Sequence, residues 1–131
     1  MALIGAGEKL FQQLCFACHG LNGQGMVPLG PPLANSEWVL GAESRLIRIT
    51  LHGVAGPIEV SGTTYQPPNI LPEMPALANL DDAQIASVLS YVRRAWGHEA
   101  ALISPAQVAT VRQETAERKT PWTQTQLLEI K

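Results

Sequence analysis

The sequence predicts a small all-α domain: three core helices, a β-hairpin inserted between the second and third, and a helical tail. Apolar residues recur at helical spacing in three stretches, and a capping-box pattern opens the last of them. Two loops dense in Gly and Pro run between them, with no regular structure of their own, so they must be held by what they cover. At 131 residues the chain is long enough for one buried core and short for two.

The first helix is expected in GEKLFQQLCFACHG, Gly7 to Gly20, where Leu10, Phe11 and Leu14 cover one face. From Leu21 to Asn35 the chain turns to NGQG and LGPPLAN and reads as a loop. A second helix is expected from Ala42 to His52, stopped by Gly53, with Leu46, Ile47, Ile49 and Thr50 toward the core. Ile58–Val60, a Ser61-Gly62 turn and Thr63–Tyr65 read as a hairpin. After the proline-rich loop PPNILPEMPALANL comes the strongest helix signal, DDAQIASVLSYVRRAWG. Asp81 and Gln84 form its capping box, Ile85, Val88, Leu89, Val92 and Trp96 its buried stripe, and Gly97 its stop. Ser104 and Pro105 are an N-cap and N1 pair opening a tail helix through Glu117, and Thr123 caps a final turn or two. Residues 1–103 are therefore expected to form the domain, and 104–131 a helical extension packed on it or on a neighbouring domain.

Nine Lys and Arg stand against eleven Asp and Glu, a net charge of −2. That balance provides neither a basic stripe for a nucleic-acid backbone nor a polybasic patch for a membrane. No apolar run reaches the roughly 18 residues of a spanning helix. Met1 to Ile4 is too short for a signal peptide, so the chain is expected to be cytosolic, a mature secreted protein, or a domain excised from something larger.

Chemistry is concentrated in CFACHG, which holds both cysteines, Cys15 and Cys18, followed at once by His19. A redox CxxC should begin a helix after a strand, because the helix N-terminus lowers the thiol pKa; here the motif ends a predicted helix. A structural zinc ion needs four ligands, and there is no second Cys pair. Covalent haem accounts for every feature. Two thiols add across the porphyrin vinyl groups, two intervening residues match their separation, and the next imidazole rises under the iron. The shortage of large aromatics, three Trp, two Tyr and two Phe, leaves core volume for such a group.

A low-spin iron needs a second axial ligand. Met1 is terminal and Met26 follows His19 too closely, whereas Met74, in EMPAL, lies in a proline-constrained loop able to wrap to the other face. Met74 is the candidate. His52 and His98 compete, but each ends a predicted helix, where the dipole favours histidine without any metal. A thioether would raise the reduction potential relative to two imidazoles, which suits an acceptor from a dehydrogenase.

The chain resembles a class I c-type cytochrome domain in Gly7 and Phe11 before CFACH, in Gly20, NGQG, GPPL from Gly30 to Leu33, Met74-Pro75 and LDDAQIASVLSYVR. The resemblance covers Ile4 to about Trp96. It implies the cytochrome c fold: three core helices around one covalently bound haem c and its iron, with the first and last crossing at Gly7, Phe11 and Tyr91. It also implies that Pro31 offers its carbonyl to the other nitrogen of His19, fixing the ring. More narrowly, SEWVLG, HGVAGPIEVSGTTY and the tail with PWT resemble haem c domains attached to quinoprotein-type sugar and alcohol dehydrogenases. They are also similar to those ending large multi-domain proteins of planctomycete-type bacteria.

The resemblance implies single-electron transfer between a dehydrogenase-type donor and a respiratory acceptor. It implies a periplasmic setting with the signal sequence lost or upstream, and redox partner proteins or a fused dehydrogenase domain in place of nucleic acid or direct membrane insertion. Trp38, Tyr65, Ile70, Leu71 and Leu80 are candidates for the haem pocket. Trp38 and Tyr65 lead because their polar tips could reach a propionate. Arg45 and Arg48 could pair with propionates, or simply occupy an exposed helix face. The rival function is a haem enzyme or sensor with a labile sixth ligand, for peroxide chemistry or gas binding, although no distal His and Arg pair is evident near Met74.

Overall fold

A computed structural model describes residues 2–26, 29–67, 70 and 73–130. Helix α1 (Ala2–Leu14) starts earlier than the expected Gly7 and breaks at Cys15, so the motif occupies a separate turn, α2 (Phe16–His19). A short helix not foreseen, α3 (Glu37–Leu40), is capped by the Ser36 hydroxyl, which accepts from the Trp38 N–H. Helix α4 (Glu43–His52) buries Leu46, Ile47, Ile49, Thr50 and Leu51 and ends at Gly53.

Four strands follow: β1 (Val54–Ala55), β2 (Ile58–Val60), β3 (Thr63–Tyr65) and β4 (Glu73–Met74). The hairpin β2–β3 forms in the expected register, with Ile58 opposite Tyr65 and Val60 opposite Thr63. The pairing of β1 with β4, Val54 opposite Met74, was not foreseen; it crosses the second proline loop.

Helix α5 (Asp82–Arg94) has its full capping box: Gln84 N–H donates to the Asp81 carboxylate at 2.7 Å, and Asp81 N–H to the Gln84 side chain at 3.0 Å. It ends at Arg94, before the expected Gly97, because Trp96 takes a left-handed φ of 55°. The Trp96 ring thereby turns back to 5.4 Å from Phe11. Helix α6 (Pro105–Glu114) opens at Ser104 as expected but stops short of Glu117, since Thr115 leaves helical geometry. Helix α7 (Gln124–Leu128) is capped by Thr123 at one end and by Arg45 at the other, whose guanidinium donates to the Leu127, Leu128 and Ile130 carbonyls.

Two apolar clusters make the core. The larger joins Phe11, Val39, Leu51, Ile85, Val92 and Val108, so α6 packs into the same interior as α1, α4 and α5. The smaller joins Trp38, Ile49, Ile58, Val60, Trp122 and Leu127. Buried Arg93 ties the surrounding loops by donating to the Val39, Gly41 and Ala101 carbonyls.

The crossing of α1 on α5 depends on Gly7, where a Cβ would collide with the Ser87 carbonyl oxygen and approach the Tyr91 Cβ at 2.9 Å. Phe11, fully buried, stacks 5.5 Å from Tyr91 one turn on. Gly7→Ala must push the helices apart and is expected to cost about 1–3 kcal/mol. In a domain of this size that lowers the melting temperature by roughly 4–10 °C. A circular-dichroism melt at the wild-type temperature would show that the crossing has slack.

Candidate functional site

The break at Cys15 builds the reactive face. Cys18 and His19 both donate their backbone N–H groups to the Cys15 carbonyl, at 3.1 and 3.0 Å, so residues 15, 18 and 19 stand on one side of a single turn. All three line one pocket, and both thiols are free. Burial, and then the neighbouring Cys18, push the Cys15 thiol up to about 11, which keeps it protonated.

His19 is 9% exposed, and its Nδ1 lies 2.8 Å from the Pro31 carbonyl oxygen. An oxygen acceptor requires Nδ1 to carry the hydrogen, so Nε2 holds the lone pair. The bond through Nδ1 is the one side-chain hydrogen bond of His19 among the described residues, so Nε2 is left without a partner there. Burial holds the imidazole below its ordinary pKa, opposed by the Pro31 carbonyl. The result is an oriented, neutral ring with one free ligating nitrogen.

Met74 lines the same pocket from β4, with Pro75 and Ile70 beside it. Cys15 packs against the larger apolar cluster and Met74 against the smaller, so the pocket separates the two halves of the core. It is open on one side, and its walls are almost wholly apolar. Met26, 43% exposed, is not part of the lining.

The other sequence-predicted residues divide. Trp38 lines the pocket, but its indole N–H donates to the Glu59 carbonyl at 2.8 Å, so that tip is committed to the hairpin and not to a bound carboxylate. Tyr65 corrects the expectation more sharply. It packs on the outside of the smaller cluster and does not line the pocket, because Ile58 and Val60 are the hairpin residues that reach it. Leu80 belongs to the larger cluster and is likewise absent from the lining; Leu71 lies outside the described residues.

Neither rival histidine reaches the pocket. His98 is buried with both ring nitrogens engaged: Nδ1–H donates to the Val92 carbonyl at 2.8 Å, and Nε2 accepts from the Asn35 N–H at 2.9 Å. It pins the first loop to the end of α5. His52 faces a separate cleft, bonded to Thr115 at 2.8 Å. Its pKa is lowered by burial and then by Arg118, Arg48 and Arg112. Arg45 is spent on α7, and Arg48 on Ser44 and Glu114.

Sequence reasoning looked to Tyr65 as the hairpin's contribution to the pocket, yet it is Ile58 and Val60 that form part of the wall. Their alternation, buried–exposed–buried, was the available signal. Among the described residues no three His, Cys, Asp or Glu side chains converge on a bare metal ion. Two thiols, one free imidazole nitrogen and a thioether around a large apolar space fit a tethered porphyrin.

The comparisons agree. The family model described as cytochrome c matches residues 4–96. Cytochrome c-552 of Thermus thermophilus is 38% identical over 95 residues, covering 70% of this chain and 68% of that protein. The same-named protein of a second strain of that species is also 38% identical, with 60% of its length covered and 70% of this chain. The cbb3-type cytochrome c oxidase subunit CcoP of Rhodobacter capsulatus is 31% identical over 93 residues, 70% of this chain but 29% of the subunit.

Proposed function

This chain belongs to the cytochrome c family and carries one covalently attached haem c with its iron, and from there we propose that it passes single electrons from a dehydrogenase-type donor to a respiratory acceptor. Bound haem supplies an iron that alternates between ferrous and ferric, one electron at a time. Cys15 and Cys18 would hold it by thioethers, His19 and Met74 would offer a nitrogen and a sulfur to its iron, and the Pro31 carbonyl holds the His19 ring in place. The apolar walls exclude water, so little rearranges when the charge changes. The observation that carries this reading is that both thiols, the free Nε2 of His19 and Met74 share one apolar pocket.

The acceptor side is supported by the likeness to subunits named for a cbb3-type cytochrome c oxidase. The dehydrogenase donor, free or fused, rests on the loop sequences SEWVLG and HGVAGPIEVSGTTY. A periplasmic setting goes with both. Among the described residues no helix is long and apolar enough to cross a membrane. Residues 104–131 are read as an extension built onto the domain of residues 1–103.

Exposed Leu14, Phe16, Leu21 and Met26 all fall in the segment carrying the motif. Apolar side chains left in water beside the cofactor's attachment point form a face for brief, weakly charged encounters. Leu21→Asp tests it: stopped-flow oxidation by a cbb3-type oxidase is expected to slow about tenfold or more, while oxidation by ferricyanide and the visible spectrum stay as in wild type. An unchanged rate with the oxidase would move the exit face elsewhere.

A further inference from the structure

The segment after α6 is hydrogen-bonded into the body beside Met74. Trp122 donates its backbone N–H to the Gly53 carbonyl at 3.0 Å, and its own carbonyl accepts from the Ala55 N–H at 2.8 Å. Residues 53–55 are thus gripped on one edge by Trp122 and on the other by β4, where Val54 faces Met74. Gly53, at φ +80°, lies so close that a Cβ there would strike the Met74 carbonyl oxygen. Just beyond, Leu77 donates to the Thr50 carbonyl at 2.9 Å.

The Trp122 side chain holds the same place. Its indole is buried in the cluster against which Met74 packs. The Arg118 guanidinium lies 3.4 Å from the ring centroid and also donates to the Pro121 carbonyl at 2.7 Å. A two-residue ribbon such as β1–β4 is marginal alone, and a third strand is what gives so short a sheet its stability.

We propose that Trp122 is a positioning residue for the sulfur ligand: the 120–123 segment straps β1, and through β1 holds the Met74 strand against the pocket. This rests on Met74 being the axial ligand. Trp122 lies outside residues 4–96 that match the family model, so the strap is an addition peculiar to the tail. Local opening of β4 frees the sixth position, and a competing ligand binds in proportion to the open population. Loosening the strap therefore raises the affinity for an added ligand even where the fold persists.

The test is an imidazole titration of the oxidised, haem-loaded full-length protein, followed by loss of the sulfur-to-iron near-infrared band. Trp122→Ala is expected to bind imidazole about tenfold more tightly, and Trp122→Phe to recover most of the wild-type value. Val108→Ala removes a fully buried side chain from α6; it should lower the melting temperature yet leave imidazole affinity unchanged. Equal shifts in Trp122→Ala and Val108→Ala, or none in either, overturn the strap. If Trp122→Ala does not fold, Arg118→Met unclamps the indole and should tighten imidazole about threefold; no change there overturns the proposal too. A wild type without the band, in which Met74→Ala binds imidazole no more tightly, overturns the ligand assignment instead.

Discussion

Met74→Ala is expected to abolish the near-infrared band of the oxidised protein and to lower its reduction potential by more than about 0.1 V, out of the ~0.8 V that axial ligation commands. The thioether favours ferrous iron relative to water or nitrogen donors, so its loss stabilises the ferric state and the potential falls. The backbone of β4 stays paired with β1 through Val54, so the variant removes the sulfur without releasing the strand. A stability loss of about 2–5 kcal/mol accompanies it, because a partly buried Met packed on the smaller cluster leaves a hole. Met26→Ala is the control: that side chain is exposed and away from the pocket, and both readings should remain at wild type. Spectroelectrochemistry decides the matter, and a band that survives in Met74→Ala removes this residue from the iron.

Replacing Cys15 and Cys18 together by alanine has a broader consequence. Mass spectrometry should return the bare polypeptide, since no other thiol exists to hold the porphyrin. The fold should suffer as well. The pocket divides two apolar clusters, and its apolar walls are stabilised by being covered. Without a held group, water meets both faces, and the cooperative thermal transition is expected to vanish from the circular-dichroism melt. Each single variant retains one sulfur bond and should stay coloured. A double variant that keeps covalent pigment contradicts the attachment, and one that melts like wild type contradicts the idea that the bound group unites the core.

The parts of this molecule readable from its sequence are those where a local rule leaves few alternatives. Asp81 with Gln84, Ser104 with Pro105, and Ile58–Val60 against Thr63–Tyr65 are contacts between residues a few positions apart, and each formed as expected. CFACH was legible because its chemistry requires neighbouring residues on one helical turn. What escaped was non-local or too short for a period. Helix α3 spans four residues, and β1 meets β4 across the whole hairpin and a proline loop. His98 was expected to end the last core helix, but it lies four residues beyond Arg94, and its partner Asn35 lies 63 residues away, a bond no spacing rule announces. Tyr65 was favoured for its hydroxyl; it lies opposite Ile58 in the hairpin and packs against the smaller cluster, while Ile58 and Val60 are the hairpin residues that reach the pocket.

The placement of the two half-buried thiols carries an implication for how the molecule is made in the cell. Cys15 is half-buried and shares its pocket wall with residues from the hairpin, the Met74 loop and α5. A tetrapyrrole joined to that sulfur must lie between those later-sequence walls, so attachment is easiest before they have closed around it. Synthesis order helps: the reactive turn emerges early, and apart from Phe11 the residues that line the pocket with it are translated afterward.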